Sequence, residues 1–394
     1  MDSVFLKEED CCGCTACMNV CPKNAITMTF DKKGFYYPKI DSEKCVDCGL
    51  CKKTCQFGKE EISDAYNSVT CYALKHKNIS VVKASRSAGT FTALSDYILK
   101  VGGVIYGAVL NSNMTVSHKR AETEQQRNQF RESKYVQSAL NDIFTNVAED
   151  LSNNKTVLFS GTGCQCDGLR SFLQTKRIDI ENLLIVDIVC AGVPSPKMFA
   201  EYLKWNESKV NSAVTDFKFR DKEKYSWCEG IERLTFANGK TIYQDYFTGY
   251  IFTNYVRTCC HNCKYTTPYR NSDITLADFW GSEKSCPEFT DYKNGCSLVL
   301  IHSEKGKYLF DSIKEEVDFK EVDIDDCLQP RLKTPRGKAD STDFYWKEYC
   351  DNGFDYIMGK YAINSLSSSY RIKRKVVAVV NKIKNKLKEI TKQV

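Results

Sequence analysis

Two runs of cysteine carry the most specific chemistry in this chain. Cys11, Cys14, Cys17 and Cys21, followed by Pro22, are spaced C-x2-C-x2-C-x3-C-P, and Cys45, Cys48, Cys51 and Cys55 repeat the spacing with Gln56 in the proline position. A 4Fe–4S cube takes one thiolate per iron. A tight loop with two-residue gaps supplies three, and in the two-cluster arrangement the last cysteine of each run serves the other cube. Cys11, Cys14, Cys17 and Cys55 are therefore assigned to one cluster, and Cys45, Cys48, Cys51 and Cys21 to the other. Gly13 and Gly49 suit a close approach of backbone to sulfur. The competing chemistry is a pair of zinc knuckles, but zinc takes four ligands in two pairs and has no use for a third evenly spaced cysteine. Cys12 is surplus to the pattern and reads as a bystander.

The elements that must position these residues are legible in outline. Between the runs, residues 26–30 and 35–39 flank Asp31-Lys32-Lys33-Gly34 and predict a hairpin. An α+β ferredoxin-like module over residues 1–58 is expected, closed by a polar linker that reaches 68. Beyond it, short apolar runs alternate with helical stretches. Strands are expected at 70–74, 103–110, 156–160 and 183–190, helices at 89–100, 128–144 and 164–174, and antiparallel strands around Asn238-Gly239. This alternation predicts an α/β catalytic domain with a mixed sheet over residues 69–330, its sites at the strand-to-helix turns. Two such turns, 85–90 and 160–165, are rich in small residues and open a helix, so their amides suit a phosphate or a flavin edge. The plainer reading of each is a helix cap. Neither matches a dinucleotide or P-loop fingerprint.

A chain of 394 residues with 42% hydrophobic content has material for two or three domains. The acidic first ten residues do not resemble an export signal, and no stretch approaches the ~18 apolar residues of a membrane span. A cytoplasmic protein is the expectation, so its 21 cysteines read as metal ligands or reactive thiols before disulfides. The net charge of +6 is carried by residues 371–394, where nine Lys/Arg face one Glu; the remainder is slightly acidic, which argues against nucleic-acid binding. Ile372, Val376, Val379, Ile383, Leu387, Ile390 and Val394 recur at three- and four-residue steps. C-terminal helices over 340–394 are therefore expected to end in a basic amphipathic helix. It suits an anionic membrane surface, making the protein peripheral there, or an acidic partner; the alternative is packing onto the protein's own body. His76, His118, His261 and His302 form no triad or metal pattern, and Ser195 lacks a nucleophile-elbow context.

Several short blocks then align with one family. They are Ser87-Ala88-Gly89-Thr90, Lys134-Tyr135-Val136-Gln137-Ser138, Ser160-Gly161-Thr162-Gly163-Cys164-Gln165 and Val189-Cys190-Ala191-Gly192-Val193-Pro194-Ser195-Pro196. Further along come Phe219-Arg220-Asp221, Arg257 with Cys260-His261-Asn262-Cys263, Ser272-Asp273-Ile274 and Ala277-Asp278-Phe279-Trp280-Gly281. Over about residues 70–320 the chain resembles the coenzyme F420 hydrogenase/dehydrogenase beta-subunit family. It departs from the family pattern at Gly163, where a proline is usual, and at Ala191, where a histidine is usual.

The resemblance implies an iron–sulfur flavoprotein, usually with FAD. Clusters move single electrons and organic reductions need pairs, so a flavin belongs between them. Implied flavin contacts are Ser87, Gly89 and Thr90; Lys134, Tyr135 and Gln137; Gly161, Thr162 and Gln165; and Asp278, Trp280 and Gly281. Cys164, Cys190, Cys260 and Cys263 stand in the family-like turns and suit a third 4Fe–4S cluster, the alternative being packed thiols. Cys166 and Cys259 are near-misses, and Cys71, Cys228, Cys286, Cys296, Cys327 and Cys350 read as structural. Arg220 and Lys222 face an anionic substrate or belong to a solvated loop. The leading expectation is an anaerobic oxidoreductase that takes electrons from a low-potential donor such as ferredoxin and reduces a small-molecule substrate. The alternative is an electron-transfer subunit of a larger hydrogenase- or dehydrogenase-like complex with no substrate of its own. A third reading is a scaffold with structural clusters.

Overall fold

The two cysteine runs fold alike because each needs the same backbone reversal. In the first, Thr15 adopts φ 66° and opens helix α1 (Ala16–Val20), after which Cys21 is extended. In the second, Gly49 at φ 74° opens α2 (Leu50–Thr54), and Cys55 is extended. Each run thus puts its third cysteine on a short helix and its fourth just past the end. Strands β1 (Ile26–Phe30) and β2 (Tyr36–Ile40) join the halves as an antiparallel hairpin, Ile26 opposite Ile40. Its turn is held by the Asp31 carboxylate, which accepts the Phe35 N–H at 2.8 Å. The computed structural model describes Val4, residues 7–58 and residues 69–367; the basic segment expected to form an amphipathic helix lies outside them.

The body begins with β3 (Thr70–His76), α3 (Ile79–Lys83) and α4 (Thr90–Lys100). There follow β4 (Val104–Leu110), β5 (Val116–Ala121), α5 (Glu124–Asn128) and α6 (Ile143–Ser152). Next come β6 (Val157–Thr162), α7 (Gly163–Lys176), β7 (Leu183–Ile188) and α8 (Pro196–Val210). Strands β8 (Val214–Lys218), β9 (Glu232–Phe236) and β10 (Thr241–Gln244) form a separate antiparallel sheet, and β11 (Ile274–Asp278), β12 (Ser297–Ile301) and β13 (Val317–Val322) return to the main one. The eight-stranded sheet runs β13-β3-β12-β11-β7-β6-β4-β5. Its centre, β11-β7-β6-β4, is parallel, and antiparallel strands flank it on both sides. The architecture is a mixed α/β sheet preceded by a small domain with short strands.

Alternation along β6 shows the layering. Val157 and Phe159 face a core with Phe144, Leu169 and Phe172 from α6 and α7, while Leu158 faces Leu94 and Ile98 of α4. Each fully buried side chain of this size contributes about 1.5–3 kcal/mol. Ala16 and Val20 of α1 join the first of these cores. Phe35, at the hairpin turn, packs with Met198 and Tyr202 of α8 and with Trp346, its ring 6.0 Å from the Trp346 ring. The N-terminal module therefore buries apolar surface against the body. The described chain closes with helices Thr342–Asn352 and Phe354–Tyr361, whose Trp346, Tyr349 and Ile357 share the α8 core.

One expected helix is absent. Residues 128–144 run irregularly between α5 and α6, with Glu132 at φ 67° and Asn141 at φ 45°. Their backbone groups pair outward: the Gln137 N–H with the Pro194 carbonyl, and the Ala139 carbonyl with the His118 N–H. Such commitments replace an i to i−4 ladder.

Candidate redox centre

The cysteines converge in the groupings that matter for a cluster. Burial, then the charges of Cys11, Cys55 and Cys51, push the Cys17 thiol up. Burial, with Cys48 and Cys21 near it, pushes up Cys51. The fourth cysteine of each run is thus a neighbour of the other run. Cys48 is exposed, whereas Cys12 is buried and the first run lies against the body. A zinc ion needs its sulfurs about 2.3 Å from one point, and among the described residues no group of three or more His, Cys, Asp or Glu is arranged for a single ion. A four-iron cube asks instead for one thiolate on each of four separate irons. The donor set suits it: the Ala25 N–H points at Cys21 Sγ (3.4 Å) and the Gly192 N–H at Cys190 Sγ (3.3 Å).

The glycine expectation needs correction. A Cβ on Gly13 (φ +71°) would meet Gln137 Nε2 at 2.5 Å and the Tyr36 carbonyl at 2.9 Å, so its close approach is to the polypeptide and not to sulfur. Gly49 has open space around it and serves the turn alone.

A second set of cysteines gathers where the central strands end. Cys164 lies in the first turn of α7, Cys190 two residues beyond β7, and Cys260 and Cys263 in and after the turn Thr258–Asn262. An isolated bridge between Pro194 and Val256 and the Arg257 N–H to the Val193 carbonyl (3.0 Å) hold the last two segments together. Burial, then Cys260, Cys164 and Cys263, push the Cys190 thiol up. Cys263 is pushed up to about 12 by burial and the charges of Cys164 and Cys260. Of the near-misses, Cys166 packs in the hydrophobic core, and Cys259 pairs with Cys260 and lies near Cys12.

Cys12, expected to be a bystander, is buried and touches the second set. Its thiol interacts with Cys164 and accepts the Gln56 Nε2 donor at 3.4 Å. Gln56 Nε2 also donates to the Cys164 carbonyl at 2.8 Å. Nothing in the cysteine spacing signals this; the departure from proline at position 56 is the one mark in the sequence.

The second set opens on a cavity of about 760 Å³, within the range of small-molecule and cofactor sites. Ser87, Gly89, Thr90, Lys134, Tyr135, Gln137, Gly161, Thr162, Gln165, Asp278 and Trp280 all line it; Gly281 does not. Several of these have structural duties. Lys134 Nζ donates to the carbonyls of Gln129, Arg131 and Glu132 (2.7, 2.6 and 3.1 Å), and burial pulls it down to about 7. Gln137 accepts the Tyr36 N–H at 3.3 Å and donates to the Cys12 carbonyl at 3.3 Å, binding the N-terminal module. Gln165 accepts from the Thr162 N–H and donates to Ser138 Oγ, which meets His118 Nδ1. Burial pulls His118 down to about 4, so its ring stays neutral.

Lys222 does not face a substrate. Its Nζ donates to the carbonyls of Val82, Ser85, Ser87 and Asn294 at 2.8–3.0 Å, fixing the 85–90 turn. Arg220 does line the cavity, its guanidinium 5.0 Å from the centre of the Tyr135 ring. Arg86, which no motif in the sequence marks, bridges Asp278, the Tyr135 hydroxyl and the Trp227 carbonyl.

The cavity wall is cationic. Among the described residues it carries nine Lys/Arg against two carboxylates, Glu132 and Asp278. Thr90 Oγ1, Arg131 Nε, Arg220 Nε and Arg257 Nη2 are buried without a hydrogen-bond partner. Buried donors in that state cost about 1–3 kcal/mol each. The wall thus suits an anionic molecule rich in acceptors, and a phosphate-bearing flavin fits that description.

Fold and cysteine sites together define an iron–sulfur protein. Residues 10–59 match the 4Fe-4S dicluster domain, and residues 154–326 match the family described as the C-terminal part of the coenzyme F420 hydrogenase/dehydrogenase beta subunit. The chain belongs to the coenzyme F420 hydrogenase/dehydrogenase beta-subunit family and carries an N-terminal dicluster domain. An uncharacterized ferredoxin of Methanocaldococcus jannaschii is 38% identical over 52 residues, which is 13% of this chain and 66% of that protein, just under two thirds of its length. A chain of the xenon-derivatised F420-reducing NiFe hydrogenase complex from Methanosarcina barkeri aligns at 17% identity and a TM-score of 0.46, covering 74% of this chain and 91% of its own. No helix among the described residues is long and apolar enough to cross a membrane.

Proposed function

We propose that this chain is an iron–sulfur flavoprotein that passes electrons from a low-potential donor, such as a ferredoxin, to a small organic substrate. The first steps use clusters held by Cys11, Cys14, Cys17 and Cys55 and by Cys45, Cys48, Cys51 and Cys21. The exposed Cys48 makes the second of these the place where a donor delivers electrons. Cys164, Cys190, Cys260 and Cys263 are proposed to hold a third cluster, and the cavity beside them FAD. A flavin accepts electrons singly and delivers them in pairs. The observation that carries this reading is the meeting of the cysteine quartet with a cationic cavity whose buried donors lack partners. Arg131, Arg220 and Arg257 orient the anionic parts of the ligand, while Arg86 and Lys222 hold the 85–90 turn around it.

Family membership supports a second reading, in which the chain is the electron-transfer subunit of a larger complex. Anaerobic purification with flavin extraction and iron quantification tests the cofactors. A stable, isolated chain that reduces a small molecule favours the enzyme; obligate copurifying subunits favour the complex. Absence of bound flavin after anaerobic reconstitution would remove both.

A further inference from the structure

The two cysteine runs are near copies, yet they differ just after the fourth cysteine, where one has Pro22 and the other Gln56. Pro22 is exposed; Gln56 is buried against α7. Its side chain touches three cysteines. Oε1 lies 3.5 Å from Cys14 Sγ, while Nε2 donates to Cys12 Sγ at 3.4 Å and to the Cys164 carbonyl at 2.8 Å. The Gln56 carbonyl accepts Lys264 Nζ at 3.1 Å, and Lys264 reaches Asp167 of α7 at 3.5 Å. On the same face of α7, Ser171 Oγ donates to the Thr54 carbonyl at 2.6 Å. Gly168 leaves the necessary room: a Cβ there would sit 2.8 Å from Cys14 Sγ and 3.3 Å from Gln56 Oε1. Proline offers no side-chain donor or acceptor and could not make these contacts.

We propose that Gln56 is the bridge between the first N-terminal cysteine set and the core quartet, fixing their separation and carrying the electron between them. It rests on the reading that both sets hold clusters. From Cys14 Sγ to the Cys164 backbone, the path crosses two non-covalent gaps, 3.5 and 2.8 Å, and is otherwise covalent through the amide. One electron leaves the cluster at Cys11, Cys14, Cys17 and Cys55, which is oxidised. It enters the cluster at Cys164, Cys190, Cys260 and Cys263, which is reduced. No bond forms or breaks and no proton moves; the reductant is the external low-potential donor. Gln56 is a positioning residue, since it acts through the cysteines.

The test uses full-length, anaerobically reconstituted protein and the variants Gln56→Leu and Gln56→Glu. Iron content is measured first, then the time course of core-cluster reduction by freeze-quench EPR after mixing with dithionite, and the midpoint potential of each cluster. The expected result is wild-type iron content with core-cluster reduction slowed about tenfold or more in Gln56→Leu. Gln56→Glu keeps the length and the oxygen but loses the N–H donor and adds charge. It shifts the potential of the cluster at Cys14 downward, because hydrogen bonds and charge at the sulfurs set that potential, an effect that packing alone does not produce. Should the leucine variant lose iron, the near-isosteric glutamate carries the test. Full iron with unchanged transfer rate and unchanged potentials overturns the bridge alone. Eight irons in the wild type overturns the quartet reading, and the bridge with it.

Discussion

Arg86 and Asp278 meet at 2.7 Å on the cavity wall, one from the 85–90 turn and the other from the last residue of β11. Arg86 also donates to the Tyr135 hydroxyl at 3.0 Å and the Trp227 carbonyl at 2.9 Å. A single guanidinium thus ties together three segments that are far apart in sequence, and its side chain is only 11% exposed. Removing one member of such a pair strands the other. Asp278→Asn is expected to cost about 2–3 kcal/mol, somewhat below the fully buried case because both groups keep some solvent contact. The double variant Arg86→Met with Asp278→Leu should lose less than the two single changes combined, by urea unfolding under anaerobic conditions. Strictly additive losses would show that the residues do not depend on each other.

Lys222→Met should loosen the 85–90 turn. Four carbonyls lose a charged donor at once, and an unsatisfied buried acceptor costs about 1–3 kcal/mol. A net loss of about 3 kcal/mol is expected, together with weaker flavin retention on gel filtration. Retention equal to wild type would mean that this turn is not part of the flavin site.

Glu232 gives a pH signature distant from the cysteines. Burial raises its carboxyl to about 8, opposed by hydrogen bonds from the Tyr202 hydroxyl and the Phe247 and Thr248 amides. An unfolded glutamate releases its proton near pH ~4.3. Between those values the folded state holds more protons than the unfolded one, so stability from this group is complete below the unfolded pKa and is lost as pH rises through about 8. Thermal midpoints of wild type and Glu232→Gln at pH 5, 6.5 and 8 should therefore diverge, with the wild type losing ground at the higher values. Parallel profiles would refute the assignment.

Iron content separates the cysteine sets. Wild type is expected to carry roughly twelve irons per chain, and Cys164→Ala or Cys190→Ala roughly eight. Cys166→Ala removes a core thiol and should keep all the iron while costing about 1 kcal/mol of packing. Loss of iron from the Cys166 variant, or its full retention in the other two, would reverse the assignment of these neighbours.

Much of the architecture is readable from periodicity. The hairpin at Gly34, the strands at β3, β4, β6 and β7 and the helix at α4 lie where apolar runs and turn residues put them. The 128–144 segment departs from its helical expectation because its side-chain pattern suits a helix while its backbone is committed to Pro194 and His118. Lys222 reads as a loop cation for a similar reason: four carbonyls from three separate stretches converge on it, and no local pattern announces such a meeting.

Cysteine spacing by itself determined the dicluster domain, because an iron cube held by one loop imposes short, fixed gaps that survive as a pattern along the chain. The blocks from Ser87 to Gly281 likewise determined the family. Only the tertiary structure decided which side chains share the cavity, that Cys12 leans on Cys164, and that Gln56 spans the space between them. Those contacts join residues more than a hundred positions apart. They depend on the packing of α1 and α2 against α7, which no local pattern of residues announces.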